Sequence, residues 1–231
     1  MTRMRRRLPL ALGLLSQLLM GSAASALPMS YEGSTTVGLE IDPIWSSASF
    51  SHAVRRQHGL GLSAQLLPGG DGSGGHHASQ TTSSESFVLV DSTHLLKRWN
   101  LPKAQGNLWL FAGVGTYQAW GGSDPNALRI AARPGLQFDI ENTRLRLEGK
   151  AQAFLAPGIE RSLFSATTGV GLTPPRYQGI QPWLELQVRA MPGLVDQLEF
   201  IPKLRLLHQR VVLDIGYSTL GSVVGSVTTT F

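Results

Sequence analysis

Leu128-Arg129-Ile130-Ala131-Ala132-Arg133-Pro134-Gly135-Leu136-Gln137-Phe138-Asp139-Ile140 is the first arm of the stretch that decides how this chain folds. A short break, Glu141-Asn142-Thr143, leads into the second arm, Arg144-Leu145-Arg146-Leu147-Glu148-Gly149-Lys150-Ala151-Gln152-Ala153-Phe154-Leu155. In the first arm Leu128, Ile130, Ala132, Pro134, Leu136, Phe138 and Ile140 fall on one side of a period-two pattern. Arg129, Ala131, Arg133, Gly135, Gln137 and Asp139 fall on the other. The second arm sets Leu145, Leu147, Gly149, Ala151, Ala153 and Leu155 against Arg144, Arg146, Glu148, Lys150, Gln152 and Phe154. Successive strand side chains point to opposite faces, so this is a β-hairpin with one uncharged face and one charged face.

The same pattern recurs. In 180–190 it sets Ile180, Pro182, Leu184, Leu186, Val188 and Ala190 apart from Gln181, Trp183, Glu185, Gln187 and Arg189. In 198–207 it separates Leu198, Phe200, Pro202, Leu204 and Leu206 from Glu199, Ile201, Lys203, Arg205 and Leu207. A soluble sandwich also alternates, but its polar face meets water. Runs that keep one face free of charge throughout, while the other carries both signs, fit a sheet whose apolar face meets lipid and whose polar face lines a lumen. The expected fold is therefore all-β: a closed, antiparallel, up-and-down transmembrane barrel. Twelve strands are expected, near 35–42, 44–54, 59–67, 86–97, 107–119, 127–140, 143–155, 162–172, 180–190, 197–208, 210–218 and 223–231. If the first two form one bent strand, ten is the alternative, since single-chain barrels prefer even numbers. Pro134, Pro182 and Pro202 are expected near strand ends or bulges, because proline removes a ladder hydrogen bond.

The N-terminus points to export. Arg3, Arg5, Arg6 and Arg7 precede an apolar run, and Ala24-Ser25-Ala26 is a small-x-small cleavage pattern, so residues 1–26 are expected to be a signal peptide removed after Ala26. Residues 27–231 then form one domain. Removing four basic residues and no acid takes the count from 20 basic and 15 acidic to 16 and 15, a formal charge of +1. The basic character is thus mostly leader, and nucleic acid is excluded as a partner. The absence of cysteine excludes a disulfide framework and thiolate chemistry. Beyond the leader no apolar run approaches the length of a membrane helix.

Counting back from Phe231, with the C-terminus at the periplasmic rim, the long connection 68–85 falls on the outer side. It is rich in Gly, Ser and Thr, as an extracellular loop would be. The inward connections include tight turns at 141–143 and near His208-Gln209, and a longer one at 99–106.

The last segment, Ser222-Val223-Val224-Gly225-Ser226-Val227-Thr228-Thr229-Thr230-Phe231, resembles the closing strand of bacterial outer-membrane barrels. The resemblance implies that Phe231 and Val227 act as a signal for the barrel-assembly machinery, with Thr229 a departure from the apolar pattern. The block 95–102, followed by Asn107-Leu108-Trp109-Leu110-Phe111-Ala112-Gly113-Val114-Gly115, resembles a group of uncharacterised exported proteobacterial proteins. Gln181-Pro182-Trp183 and Pro202-Lys203-Leu204-Arg205-Leu206 fit the same likeness, which implies no activity. The expected location is the bacterial outer membrane, with its lipid as surroundings and a small solute as a possible partner.

The inward charges are the leading candidate site. Arg129, Arg133, Arg144, Arg146, Lys150, Arg189, Lys203 and Arg205 share the expected lumen with Asp139, Glu148, Glu185, Glu199 and Asp214. They allow two readings: a plug of salt bridges filling a narrow lumen, or a narrow polar pore with a mild anion preference. His76 and His77, adjacent in the Gly/Ser loop, are weak metal candidates, because a structural site needs about four supported ligands. No cofactor is expected. For a lipid-modifying hydrolase, His94, Ser92 and Asp91 are the trial catalytic set, although no G-x-S-x-G elbow is present. The glycine-rich 69–75 segment lacks the Lys-Ser/Thr ending of a phosphate loop. Trp45, Trp99, Trp109, Tyr117, Trp120, Trp183 and Tyr217 include several at strand ends, as at a membrane–water boundary. The function expected is a structural or narrow-pore barrel of the envelope. The alternatives are the hydrolase and a soluble periplasmic β-sandwich or lipocalin-like binder.

Overall fold

The computed structural model describes residues 31–42, 44–68, 84–120, 128–174 and 179–231. Twelve strands make one closed barrel: β1 Thr35–Ile41, β2 Ser46–Arg55, β3 His58–Pro68, β4 Ser84–Leu101, β5 Ala104–Trp120, β6 Arg129–Glu141, β7 Leu145–Ala156, β8 Ile159–Gly171, β9 Gln181–Met191, β10 Val195–His208, β11 Val211–Tyr217 and β12 Val223–Thr230. Each strand pairs antiparallel with its sequence neighbours, and β12 returns to β1 from Thr36↔Thr230 to Ile41↔Gly225. The seam ends with Phe231 N–H donating to Thr35 O at 2.8 Å and Thr35 N–H donating to Phe231 O at 3.2 Å. Closure leaves no edge strand, so each strand has a hydrogen-bonded neighbour on both sides. Among the described residues no helix is long and apolar enough to cross a membrane.

The expected strand count is found, and β1 and β2 are separate. Asp42 makes the corner between them: its carboxylate accepts from Ile44 N–H at 2.9 Å, and its carbonyl accepts from Trp45 N–H at 3.2 Å. The rim that carries Phe231, here the terminal rim, has tight hairpins. Asn142 Oδ1 accepts the N–H groups of Arg144 and Leu145, both at 2.7 Å, which fixes the β6–β7 turn. The β10–β11 turn is closed by Gln209 in the left-handed region (φ 51°). The connection 68–85 opens on the opposite, distal rim, where its interior residues lie outside the described set.

Two expectations are corrected. The long 99–106 connection does not exist, because β4 continues to Leu101 and β5 begins at Ala104. A bulge between Leu95 and Lys97 resets the alternation, so Arg98 points inward to Asn107 and Trp99 outward against Phe138. Read with simple period two, that reset looks like the end of a strand. The prolines are not confined to strand ends, since Pro134 and Pro202 sit well inside β6 and β10. At each, one neighbouring ladder is absent: the β6–β7 register skips from Ala132↔Leu155 to Gly135↔Gln152, and the β10–β11 register starts only at Lys203↔Gly216. The missing N–H therefore has no ladder bond to lose on that side.

The two faces separate cleanly. Ile130, Val114, Leu184 and Leu62 project outward and are more than half exposed, in a band that runs round the barrel. The inward set includes Asp139, Glu185, Arg189 and Glu199, all buried. A soluble barrel would reverse this distribution. About eight strands give a bore that ordinary side chains fill, so twelve require long ones, and the inward positions here are rich in Arg, Glu, Trp and Phe.

Candidate functional site in the barrel interior

The barrel interior is layered from distal to terminal rim. Nearest the distal rim lies an apolar cluster of Trp45, Leu67, Phe87, Leu89, Tyr117, Phe154 and Met191. Phe87 is its hub, with ring centroids 5.4 Å from Phe154 and 5.1 Å from Tyr117, and Trp45 stands edge-on to Phe154 at 5.0 Å. Phe87, Leu89 and Phe154 are each at most 1% exposed, so no water column passes beside them. Two ion-paired groups accompany the cluster. Arg161 holds Glu85 at 2.9 Å. Arg189 is shared between Asp42 and Glu199, the latter at 2.6 Å, while Ser218 Oγ donates to the other Glu199 oxygen at 2.5 Å.

Arg133 pairs with Asp91 at 2.7 Å at the waist, and Gly113 leaves the space that the Asp91 carboxylate occupies. Lys150 projects inward beside Phe111, its Nζ 6.0 Å from the ring centroid.

Towards the terminal rim the charges form one network around Glu185. Its Oε1 accepts from Arg146 Nη1 at 2.9 Å and from Arg205 Nη1 at 3.0 Å, and Lys203 Nζ lies 3.9 Å from Oε2. Arg146 also binds Glu148, and Arg205 Nε lies 3.4 Å from Asp214, which accepts from Ser226 Oγ at 3.1 Å. Beside this network Asp139 accepts from Asn107 and from the Trp109 indole, both at 2.7 Å. Below it a vestibule of about 500 Å³ opens at the terminal rim, with Trp183, Glu141, Arg146 and Arg205 among its walls.

The sequence-derived candidates distribute as follows. Arg133, Asp139, Arg146, Glu148, Lys150, Glu185, Arg189, Glu199, Lys203, Arg205 and Asp214 lie on the inward face, and the charged ones apart from Lys150 join the contacts above. Arg129 is inward at the distal rim and donates to Pro157 O at 2.9 Å. Arg144 is a correction: it lies in the β6–β7 turn and is exposed, because the strand starts only at Leu145.

The trial catalytic set is not assembled. Ser92 and His94 face outward with His94 Nε2 3.2 Å from Ser92 Oγ, while Asp91, one residue away, points inward to Arg133. The other ring nitrogen of His94 meets His58 Nδ1 at 2.7 Å, so a histidine occupies the place an orienting acid would need. His76 and His77 lie outside the described residues. Val227 faces outward in β12, and Phe231 closes the seam.

The apolar cluster was missed, for an identifiable reason. Trp45, Trp109, Tyr117 and Trp183 face inward, and only Trp99, Trp120 and Tyr217 of the aromatic set face outward. Phe154 already sat on the charged side of the alternation in 145–155, which was the available signal. The acids Asp42, Glu85 and Asp91, and Arg161, which pairs with Glu85, are likewise lumenal residues that the alternation does not reveal, because their strand segments carry few charges.

No protein-family model matches the chain, and no curated protein matches it. The 95–115 likeness therefore has no family model behind it. Among solved structures the chain is similar to the KdgM porin, with 10% identity, TM-score 0.47, and coverage of 86% of this chain and 98% of that one. The same figures but 11% identity hold for the KdgM porin in complex with disordered oligogalacturonate. LpxR from Salmonella typhimurium matches with 9% identity and TM-score 0.48, covering 86% of this chain and all (100%) of that one. At such identities and scores neither the porin's ligand nor the chemistry of LpxR transfers to this chain. What stands on the geometry itself is a closed, twelve-stranded, all-antiparallel β-barrel with an apolar outer face and a filled, largely ion-paired interior.

Proposed function

We propose that this chain is an outer-membrane β-barrel of the structural envelope type, with its lumen closed to solutes. The observation that carries this reading is the cluster of Phe87, Leu89, Phe154 and their neighbours, buried across the distal half of the interior. A conducting pore needs a continuous wet path, and its constriction is ordinarily lined by charged or carbonyl groups that replace hydration. Here the terminal-rim vestibule ends against a salt-bridge network and then against packed aromatic rings. The membrane assignment rests on the outward apolar band, which in water would be an exposed patch far beyond what a soluble monomer carries. In this reading the leader is removed after Ala26, and β12 with Val227 and Phe231 is the segment that the assembly machinery engages.

The test is conductance in planar bilayers alongside gel mobility. The folded protein is expected to need detergent, to migrate differently before and after boiling, and to give no resolvable channel steps. Stable single-channel steps from the unaltered chain would overturn the closed reading, and a monodisperse detergent-free protein would overturn the membrane reading. Replacing both ring plugs, Phe87→Ala with Phe154→Ala, is expected to produce conductance where the parent has none.

A further inference from the structure

We propose that the terminal rim binds the headgroups of anionic glycerophospholipids in the surrounding leaflet; this rests on the membrane-barrel reading above. Three successive hairpins on that rim present Arg55 and Arg56 (β2–β3), Lys97 and Lys103 (β4–β5) and Arg144 (β6–β7). All five are exposed. None of them forms an ion pair among the described residues, in contrast to the inward Arg133, Arg146, Arg161, Arg189 and Arg205, each matched to an acid.

Their direction follows from register. Arg55 is the cross-strand partner of His58, itself opposite outward-facing His94, and Lys97 is opposite outward-facing Leu108. Arg144 occupies a turn beneath exposed Leu145, and Lys103 a turn beneath exposed Leu101, where it also borders the mouth of the vestibule. Long basic side chains at the end of an apolar wall lay their stems along that wall and place the charge at headgroup depth.

Among the described residues the acids at this rim's edge, beside the basic collar, are exposed Glu32 and half-buried Glu141; Glu141 lines the vestibule, whose mouth Lys103 also borders. The distal rim has the opposite character. Its exposed charges include Glu160 and Asp196, while Arg161 is turned inside onto Glu85 and Arg129 onto a backbone carbonyl. Among the described residues the exposed charge therefore has a polarity along the barrel axis, and the basic end is the rim that carries Phe231. A cluster of several Lys and Arg just beyond an apolar span is the pattern that concentrates anionic lipid at a surface. An acidic soluble polymer would need only a charged surface, whereas the collar sits directly against exposed Val54, Leu60, Leu96 and Leu145. That continuity with the apolar band favours a ligand with both a phosphate and acyl chains.

Trp99 reports on this rim. It faces outward against Phe138 at 6.2 Å between ring centroids, and Lys97 Nζ stands 5.3 Å from its ring. The folded full-length barrel carrying Trp120→Phe is placed in phosphatidylcholine vesicles containing a minor fraction of either brominated phosphatidylglycerol or brominated phosphatidylcholine. Trp99 is then the outward-facing indole, because Trp45, Trp109 and Trp183 point inward.

At low salt, brominated phosphatidylglycerol is expected to quench at least about threefold more effectively than brominated phosphatidylcholine. The advantage is expected to vanish when Arg55, Arg56, Lys97, Lys103 and Arg144 are all replaced by Gln, and to shrink as salt rises to about 0.5 M. Equal quenching by the two lipids in the parent, or a preference unmoved by salt, overturns the collar while leaving the barrel reading intact. The salt arm uses the parent protein and so decides even if the fivefold variant does not fold. Quenching by neither lipid overturns both.

Discussion

Glu185 is the residue on which the terminal half of the interior turns. One carboxylate serves Arg146, Arg205 and Lys203, and Gly169 on the neighbouring strand leaves the room in which it lies. Desolvating such charges costs several kcal/mol each, and mutual pairing returns most of it only while every member is present. Glu185→Gln keeps the shape but removes the charge, leaving three cations to share Glu148 and Asp214. The expected loss is about 3–5 kcal/mol of barrel stability. It is measured as a lowered urea midpoint in detergent, followed by the boiled and unboiled gel forms. An unchanged midpoint would mean that water already reaches this network. The same logic explains why the lumenal charges were legible: a strictly alternating strand assigns each side chain to a face by parity alone. Asp91 stands only three residues before His94, but that odd spacing means the pleat puts the two on opposite sides of the wall.

Among the elements, the hairpins show where local chemistry and barrel geometry disagree. Gln209 has φ 51°, a conformation that costs a side-chain-bearing residue roughly 1 kcal/mol. The two-residue link between His208 and Val211 demands it, because a tight hairpin matches the strand twist only with positive φ in the turn. Gln209→Gly is therefore expected to raise stability by about 0.5–1 kcal/mol, less the extra entropy glycine brings to the unfolded chain. The check is the same urea titration, and a loss of stability would show that the Gln209 side chain contributes a contact of its own. The β4–β5 hairpin shows the converse case. Its strands are 18 and 17 residues long, longer than alternation alone implies, because a bulge after Leu95 breaks the period that marks a strand. Pro134 and Pro202 gave the opposite error: they looked like breakers, yet a locally missing ladder accommodates them.

Across the whole molecule, the outer band and the inner network are one consequence of closure. Leu186 is exposed at the centre of β9, with Thr168 and Pro202 as its cross-strand partners on either side. In lipid this is a favourable surface, and an arginine there costs about 2–4 kcal/mol near the bilayer midplane. Leu186→Arg is expected to lower the yield of folded, heat-modifiable protein in vesicles by that margin while leaving the interior contacts untouched. If the protein instead lived in water, the same substitution would be neutral or would improve solubility, so the direction of the effect is the measurement.

What the chain's order of residues determined alone is the antiparallel up-and-down connectivity, a count of twelve strands or ten, and the face of the charges on the strictly alternating strands. Each is a local property: period two, turn residues, and the parity that links them. The tertiary structure alone decided what lies inside at each depth. Trp45 comes from a corner loop, Phe87 from β4 and Phe154 from β7, and no spacing in the sequence brings their rings to within about 5 Å. That meeting depends on the tilt and stagger with which twelve strands close, a property of the whole sheet. The same closure draws Asp42 to Arg189 across 147 positions of chain and turns a lumen that parity could only outline into one that is filled.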